Sequence, residues 1–146
     1  LGDYYYGEKV YEKATESYEQ FLAMYQDTDL KPEDKGLRRK ATMLLGHLSE
    51  IDAYNMYAKG EKLFDAKDFE EAIKIFREVQ TKYPDSDQTV NAAVNIGAAY
   101  MALEDYRKAA AEFQKVVDHY SGEARFSPQV DFAKQQLEVM AEARVI

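Results

Sequence analysis

Apolar residues recur at helical spacing along most of the chain, most clearly between residues 68 and 83. Apolar side chains there occupy positions 69, 72, 73, 76, 79 and 83, which is the one-sided pattern of an amphipathic helix. Asp68, followed three residues later by Glu71, predicts a capping box at the start of this helix, and Pro84 predicts its end. The preceding segment predicts another helix. Gly60 lies inside it and is best explained by close approach of the neighbouring helix.

The same pattern returns 37 residues later, because residues 53–83 align with residues 90–120. Self-similarity at a fixed period of this size indicates a stacked repeat array. A third copy covers residues 1–25 at an offset of 58 residues. We therefore expect a truncated repeat at 1–26 and two further repeats at 53–86 and 90–123. The aligned pairs include Gly60 with Gly97, Asp68 with Asp105, Ala72 with Ala109, Phe76 with Phe113 and Tyr83 with Tyr120.

The repeated residues resemble the marker positions of tetratricopeptide repeats. They are Gly60, Ala72, Phe76 and Pro84, and then Ile96, Gly97, Tyr100, Ala109 and Phe113. The resemblance implies an all-α fold, a right-handed solenoid of antiparallel helix pairs. The period of 37 residues and the extended ending at 83–86 are similar to the repeats of bacterial envelope proteins, such as outer-membrane-assembly lipoproteins and the periplasmic coordinator of the Tol system. Ser121 departs from this pattern, because it replaces the proline in the later repeat.

Residues 27–52 add a segment between the first two copies, which we interpret as a loop followed by a helical extension. Apolar residues at 37, 41, 44, 45, 48 and 51 form a helical stripe. A separate inserted helix would reverse the alternation of inner and outer helices, so we predict one long helix over about 33–66. The alternative is a new helix that starts at Ser49, with Asp52 three residues on.

The C-terminal segment predicts one more helix. Ser127 is suited to the N-cap and Pro128 to the first turn. Residues 127–145 carry one apolar stripe and one polar face, as a helix that caps a repeat array requires. The alternative is that this helix is the first helix of a further repeat.

Composition removes several classes of function. The chain of 146 residues has a formal net charge of -8 and no cysteine. The acidic balance and the scattered basic residues argue against nucleic-acid binding, and no apolar run is long enough for a membrane span. The two histidines lack ligand spacing and the glycines are dispersed, so we predict no metal site, cofactor or catalytic residue. Because the sequence begins at Leu1 without Met, we expect it to be a piece of a longer protein.

The resemblance also implies a binding surface, since the first helix of each tetratricopeptide pair lines a concave groove that holds partner peptides. Asn95 matches one Asn of the clamp by which some members bind a C-terminal carboxylate, but Tyr57 and Glu61 replace its other residues, which disfavours that mode. The alternative to an open groove is that the neighbouring helix or the chain terminus fills the aromatic positions. Carried over residue by residue, the groove consists of Tyr54, Tyr57, Glu61, Phe64, Asn91, Val94, Asn95, Ala98 and Met101.

The sequence thus predicts a non-catalytic scaffold that binds a protein or peptide partner, with a structural oligomerisation module as the alternative. The resemblance places it in the periplasm or cell envelope of a bacterium, with the cytoplasm as the alternative location. The sequence indicates neither the partner nor the oligomeric state.

Overall fold

A computed structural model describes residues 13, 16, 17, 19, 20, 23 and 32–146. The predicted truncated repeat at 1–26, and its pairing with the start of the long helix, lie mostly outside these residues. The chain divides into two compact units, 1–52 and 53–146. Five α-helices follow one another from residue 32 onward, and the described residues contain no strand. They are α1 (Pro32–Asp65), α2 (Phe69–Lys82), α3 (Gln88–Ala102), α4 (Tyr106–Tyr120) and α5 (Ser127–Glu142).

The predicted long helix is confirmed, because α1 runs without interruption for 34 residues, or about 50 Å. No Gly or Pro stands between residues 47 and 59 to interrupt its hydrogen bonds. The alternative start of a new helix at Ser49 is wrong.

Two predictions about helix starts need correction. Asp68 occupies the N-cap position of α2, but its side chain forms no capping hydrogen bond. The predicted capping box does not form, because the Glu71 carboxylate instead accepts a hydrogen bond from Lys74 at 3.1 Å. Ser127 is the first residue of α5 rather than its N-cap, because a 3-10 turn at Ala124–Phe126 leads directly into the helix.

Two apolar clusters form the core of the second unit, and α3 contributes to both. Its Ala92 and Ile96 pack with Phe76 of α2 and with the second half of α1. Its Ala93 packs on the other side with Phe113 of α4 and with α5. Burial on two sides explains why α3 carries no charged residue over its 15 positions.

Each first helix meets its second helix at the repeated glycine, as the sequence predicted. A Cβ atom built on Gly97 would lie 2.8 Å from ring carbons of Phe113, and one on Gly60 would overlap the ring of Phe76. Both rings are fully buried, so neither can move aside without cost. The turns that follow are also repeated: Lys67 and Glu104, 37 residues apart, both have positive φ in the αL turn that ends the helix.

Candidate protein-interaction site

Hydrogen bonds between side chains place α1, α3 and α5 side by side in one layer, which we call the first-helix layer. The Asn95 amide of α3 donates to the Tyr57 hydroxyl of α1 at 2.7 Å. The Gln129 amide of α5 donates to the Asn91 carbonyl of α3 at 2.9 Å. The partners in each bond are 38 residues apart, so two successive steps of the repeat are each bridged once by uncharged polar groups.

Tyr57 is held firmly in this layer. Its ring lies 5.5 Å from the Phe76 ring, centroid to centroid. Burial raises the pKa of Tyr57 to about 12, with a further contribution from the negative charge of Glu61, while the hydrogen bond from Asn95 acts in the opposite direction. The hydroxyl is therefore neutral at physiological pH and can donate one hydrogen bond while it accepts the bond from Asn95.

The nine predicted groove residues differ in how accessible they are. Tyr54 is 56% exposed and Glu61 is also exposed, whereas the other seven are half-buried. Phe64 packs edge-on against Phe69 of α2 at 5.1 Å between ring centroids, so part of its ring is covered by the neighbouring helix. Val94 and Met101 are partly buried against the apolar cluster that contains Phe113.

The groove predicted from the sequence left out α5, which carries an exposed aromatic residue, Phe132. Its ring is 39% exposed and contacts Phe113 edge-on at 6.0 Å. Phe132 stands 37 residues after Asn95, so the repeat period could have identified it if the groove had been extended to the last helix.

The second helices, α2 and α4, form the other layer and are joined by charge. Glu112 of α4, whose side chain is only 6% exposed, forms an ion pair with Arg77 of α2 and a longer one with Lys115 at 3.7 Å. Burial opposes the charge of Arg77, but the hydrogen bond and negative charge of Glu112 outweigh it, so the pKa of Arg77 is raised. This pair lines a cleft of about 200 Å³ that also contains His119 and Tyr120.

The described residues offer no other recognisable chemistry. Within them, no group of His, Cys, Asp and Glu side chains could hold a metal ion. None of the helices in that part of the chain is sufficiently long and apolar to span a membrane. Glu112 is a buried carboxylate, but its partners are cations and not a second carboxylate, so the pair stabilises structure and does not suggest acid–base catalysis.

Residues 49–143 match the family profile described as YfiO, outer membrane lipoprotein. The chain belongs to this family. The YfiO match covers the second half of α1 and all of α2 to α5, and so includes every predicted groove residue and Phe132. It confirms the resemblance to tetratricopeptide-like envelope proteins. Comparisons with curated proteins and with solved structures gave no significant match.

Membership in the YfiO family supports a protein-interaction role in outer membrane assembly. It favours the predicted envelope location over the cytoplasmic alternative, since the family consists of outer membrane lipoproteins. Families of this tetratricopeptide-like kind are non-catalytic protein-binding scaffolds.

Proposed function

We propose that this chain is a non-catalytic scaffold of the bacterial periplasm that binds a segment of a protein partner along the exposed side of the first-helix layer. One observation carries the proposal. The bond between Tyr57 and Asn95 fixes an aromatic and an amide side chain on adjacent helices, beside the exposed ring of Tyr54. Rigid aromatic and amide groups of this kind give an extended segment both apolar contact and backbone hydrogen bonds.

The partner can be identified by a photo-crosslinking amino acid placed at Tyr54 in cells of the source bacterium, followed by mass spectrometry. The control position is Lys74, which is exposed on α2 in the other layer. We expect an envelope protein to be joined at position 54 and not at position 74. A product that joins two copies of this chain would instead indicate the oligomerisation module.

Binding of the purified partner then tests the surface quantitatively. We expect a dissociation constant in the micromolar range, about -8 kcal/mol, and a loss of about thirtyfold in affinity for Tyr54→Ala with Asn95→Ala, since aromatic anchors contribute about 2 kcal/mol. The helical circular dichroism should be retained, because Tyr54 is mostly exposed and Asn95 is only half-buried, so neither belongs to the apolar core. Unchanged affinity in this folded double variant would refute the proposed surface.

A further inference from the structure

Charge is distributed unequally over the first-helix layer. The groove positions of α3 are 91, 94, 95, 98 and 101, and none of them is charged. The positions one repeat earlier on α1 and one repeat later on α5 add three carboxylates, Glu61, Asp131 and Glu138, and no Lys, Arg or His. This strip of the layer, which we call the groove strip, therefore carries only negative charges, on its α1 and α5 portions.

These carboxylates are available to a partner. Glu61, Asp131 and Glu138 are all exposed, and none of them forms an ion pair with a residue in the described part of the chain. Exposed aromatic rings lie on the same helices: Tyr54 stands about two turns before Glu61 on α1, and Phe132 is the residue after Asp131 on α5.

The second-helix layer differs, because it carries charges of both signs and several of them form ion pairs. Lys74 binds Glu71 at 3.1 Å, and Lys115 and Arg77 bind Glu112. The single sign of the groove strip is thus not a general consequence of the net charge of the chain. A cleft lined by one sign of charge concentrates ligands of the opposite sign and rejects those of the same sign.

We propose that the groove strip selects an extended protein segment in which Lys or Arg alternates with aromatic or long apolar side chains. This inference rests on the proposed function and specifies its partner. The basic side chains would pair with Glu61 and Asp131, and the apolar ones would pack on Tyr54 and Phe132. A second copy of this chain bound strip to strip is a poor occupant, because it would present the same carboxylates.

Three fluorescent peptides of equal length, in which Tyr alternates with Lys, Gln or Glu, test the selection by anisotropy. We expect the Lys peptide to bind about tenfold more tightly than the Gln peptide, and the Glu peptide to bind more weakly than either. The preference should decrease as salt is raised, since the carboxylates are exposed.

Charge-reversal variants separate recognition from general attraction. Glu61→Lys with Asp131→Lys should reverse the order of the Lys and Glu peptides. Glu70→Lys with Glu78→Lys changes the net charge equally but alters exposed positions of α2, and should keep the original order. The same order in both variants would overturn the inference.

Different results would overturn the charge preference and the proposed function. Peptides that bind through Tyr54, shown by weaker binding in Tyr54→Ala, but without preference for charge would overturn only the inference. Failure of all three peptides to bind would overturn the inference, while a partner crosslinked at position 54 would still support the proposed function.

Discussion

The contact between Gly97 and Phe113 offers the sharpest test of how the repeats pack. In Gly97→Ala, the new methyl group would lie 2.8 Å from buried ring carbons, well inside ordinary van der Waals contact. Overpacking of this kind costs about 1–3 kcal/mol, while replacing a helical glycine by alanine gains about 0.5–1 kcal/mol. We therefore expect Gly97→Ala to lower the free energy of unfolding by about 1–2 kcal/mol.

Gly46→Ala is the matched control, because Gly46 is also helical and a Cβ there meets no described atom within 4 Å. This variant should gain the full helix propensity and become more stable by about 0.5–1 kcal/mol. Urea denaturation followed by circular dichroism measures both changes, and the slope of the transition should stay constant.

A second substitution tests the cause. Phe113→Leu alone leaves a void and costs about 1–2 kcal/mol, but in Gly97→Ala it makes room for the methyl group. The double variant should therefore lose less stability than the sum of the two single variants, by about 1 kcal/mol. Gly97→Ala as stable as the wild type, or strictly additive losses, would refute the packing argument.

Two further variants test the polar bridges. Arg77→Ala leaves the buried carboxylate of Glu112 with only the longer contact to Lys115, so urea denaturation should show a loss of about 1–3 kcal/mol in the free energy of unfolding. This loss is smaller than for a fully buried ion pair, because Arg77 is half-exposed. Arg77→Met with Glu112→Leu should lose less stability, and a loss below about 0.5 kcal/mol in Arg77→Ala would contradict a stabilising role. A tyrosine in an unfolded chain has a pKa of about 10, whereas the pKa of Tyr57 in the folded chain is about 12. The wild type should therefore lose stability as the pH rises from the first value towards the second, because the unfolded state ionises first. Tyr57→Phe should lose less stability than the wild type between about pH 9 and about pH 11, and equal losses would show that the hydroxyl does not resist ionisation in the folded chain.

Periodicity predicted the parts of the fold that recur. The contacts of Gly60 with Phe76 and of Gly97 with Phe113 could be predicted, because glycine is unfavourable inside a helix and yet occurs twice at the same position of the repeat. The long helix was predicted because a separate inserted helix would reverse the alternation of inner and outer helices, and α1 confirms that prediction.

Features that occur once escaped the same reasoning. Arg77 and Glu112 are 35 residues apart, and their counterparts one repeat away are Gln114 and Ile75, so the repeat gives no sign of an ion pair. The capping box at Asp68 was wrong for a related reason. The capping-box motif shows that Glu71 could bind the start of the helix, but it does not include Lys74, which lies one turn further on and binds the same carboxylate.

Lys134 bears on the role of α5, because it stands 37 residues after Gly97 and 74 after Gly60. At the two earlier positions even a methyl group would collide with the aromatic ring of the second helix. A lysine side chain, exposed on α5, does not fit the same close contact with a following helix. The substitution therefore favours the prediction that residues 127–145 cap the array over the alternative of a further repeat built in the same way.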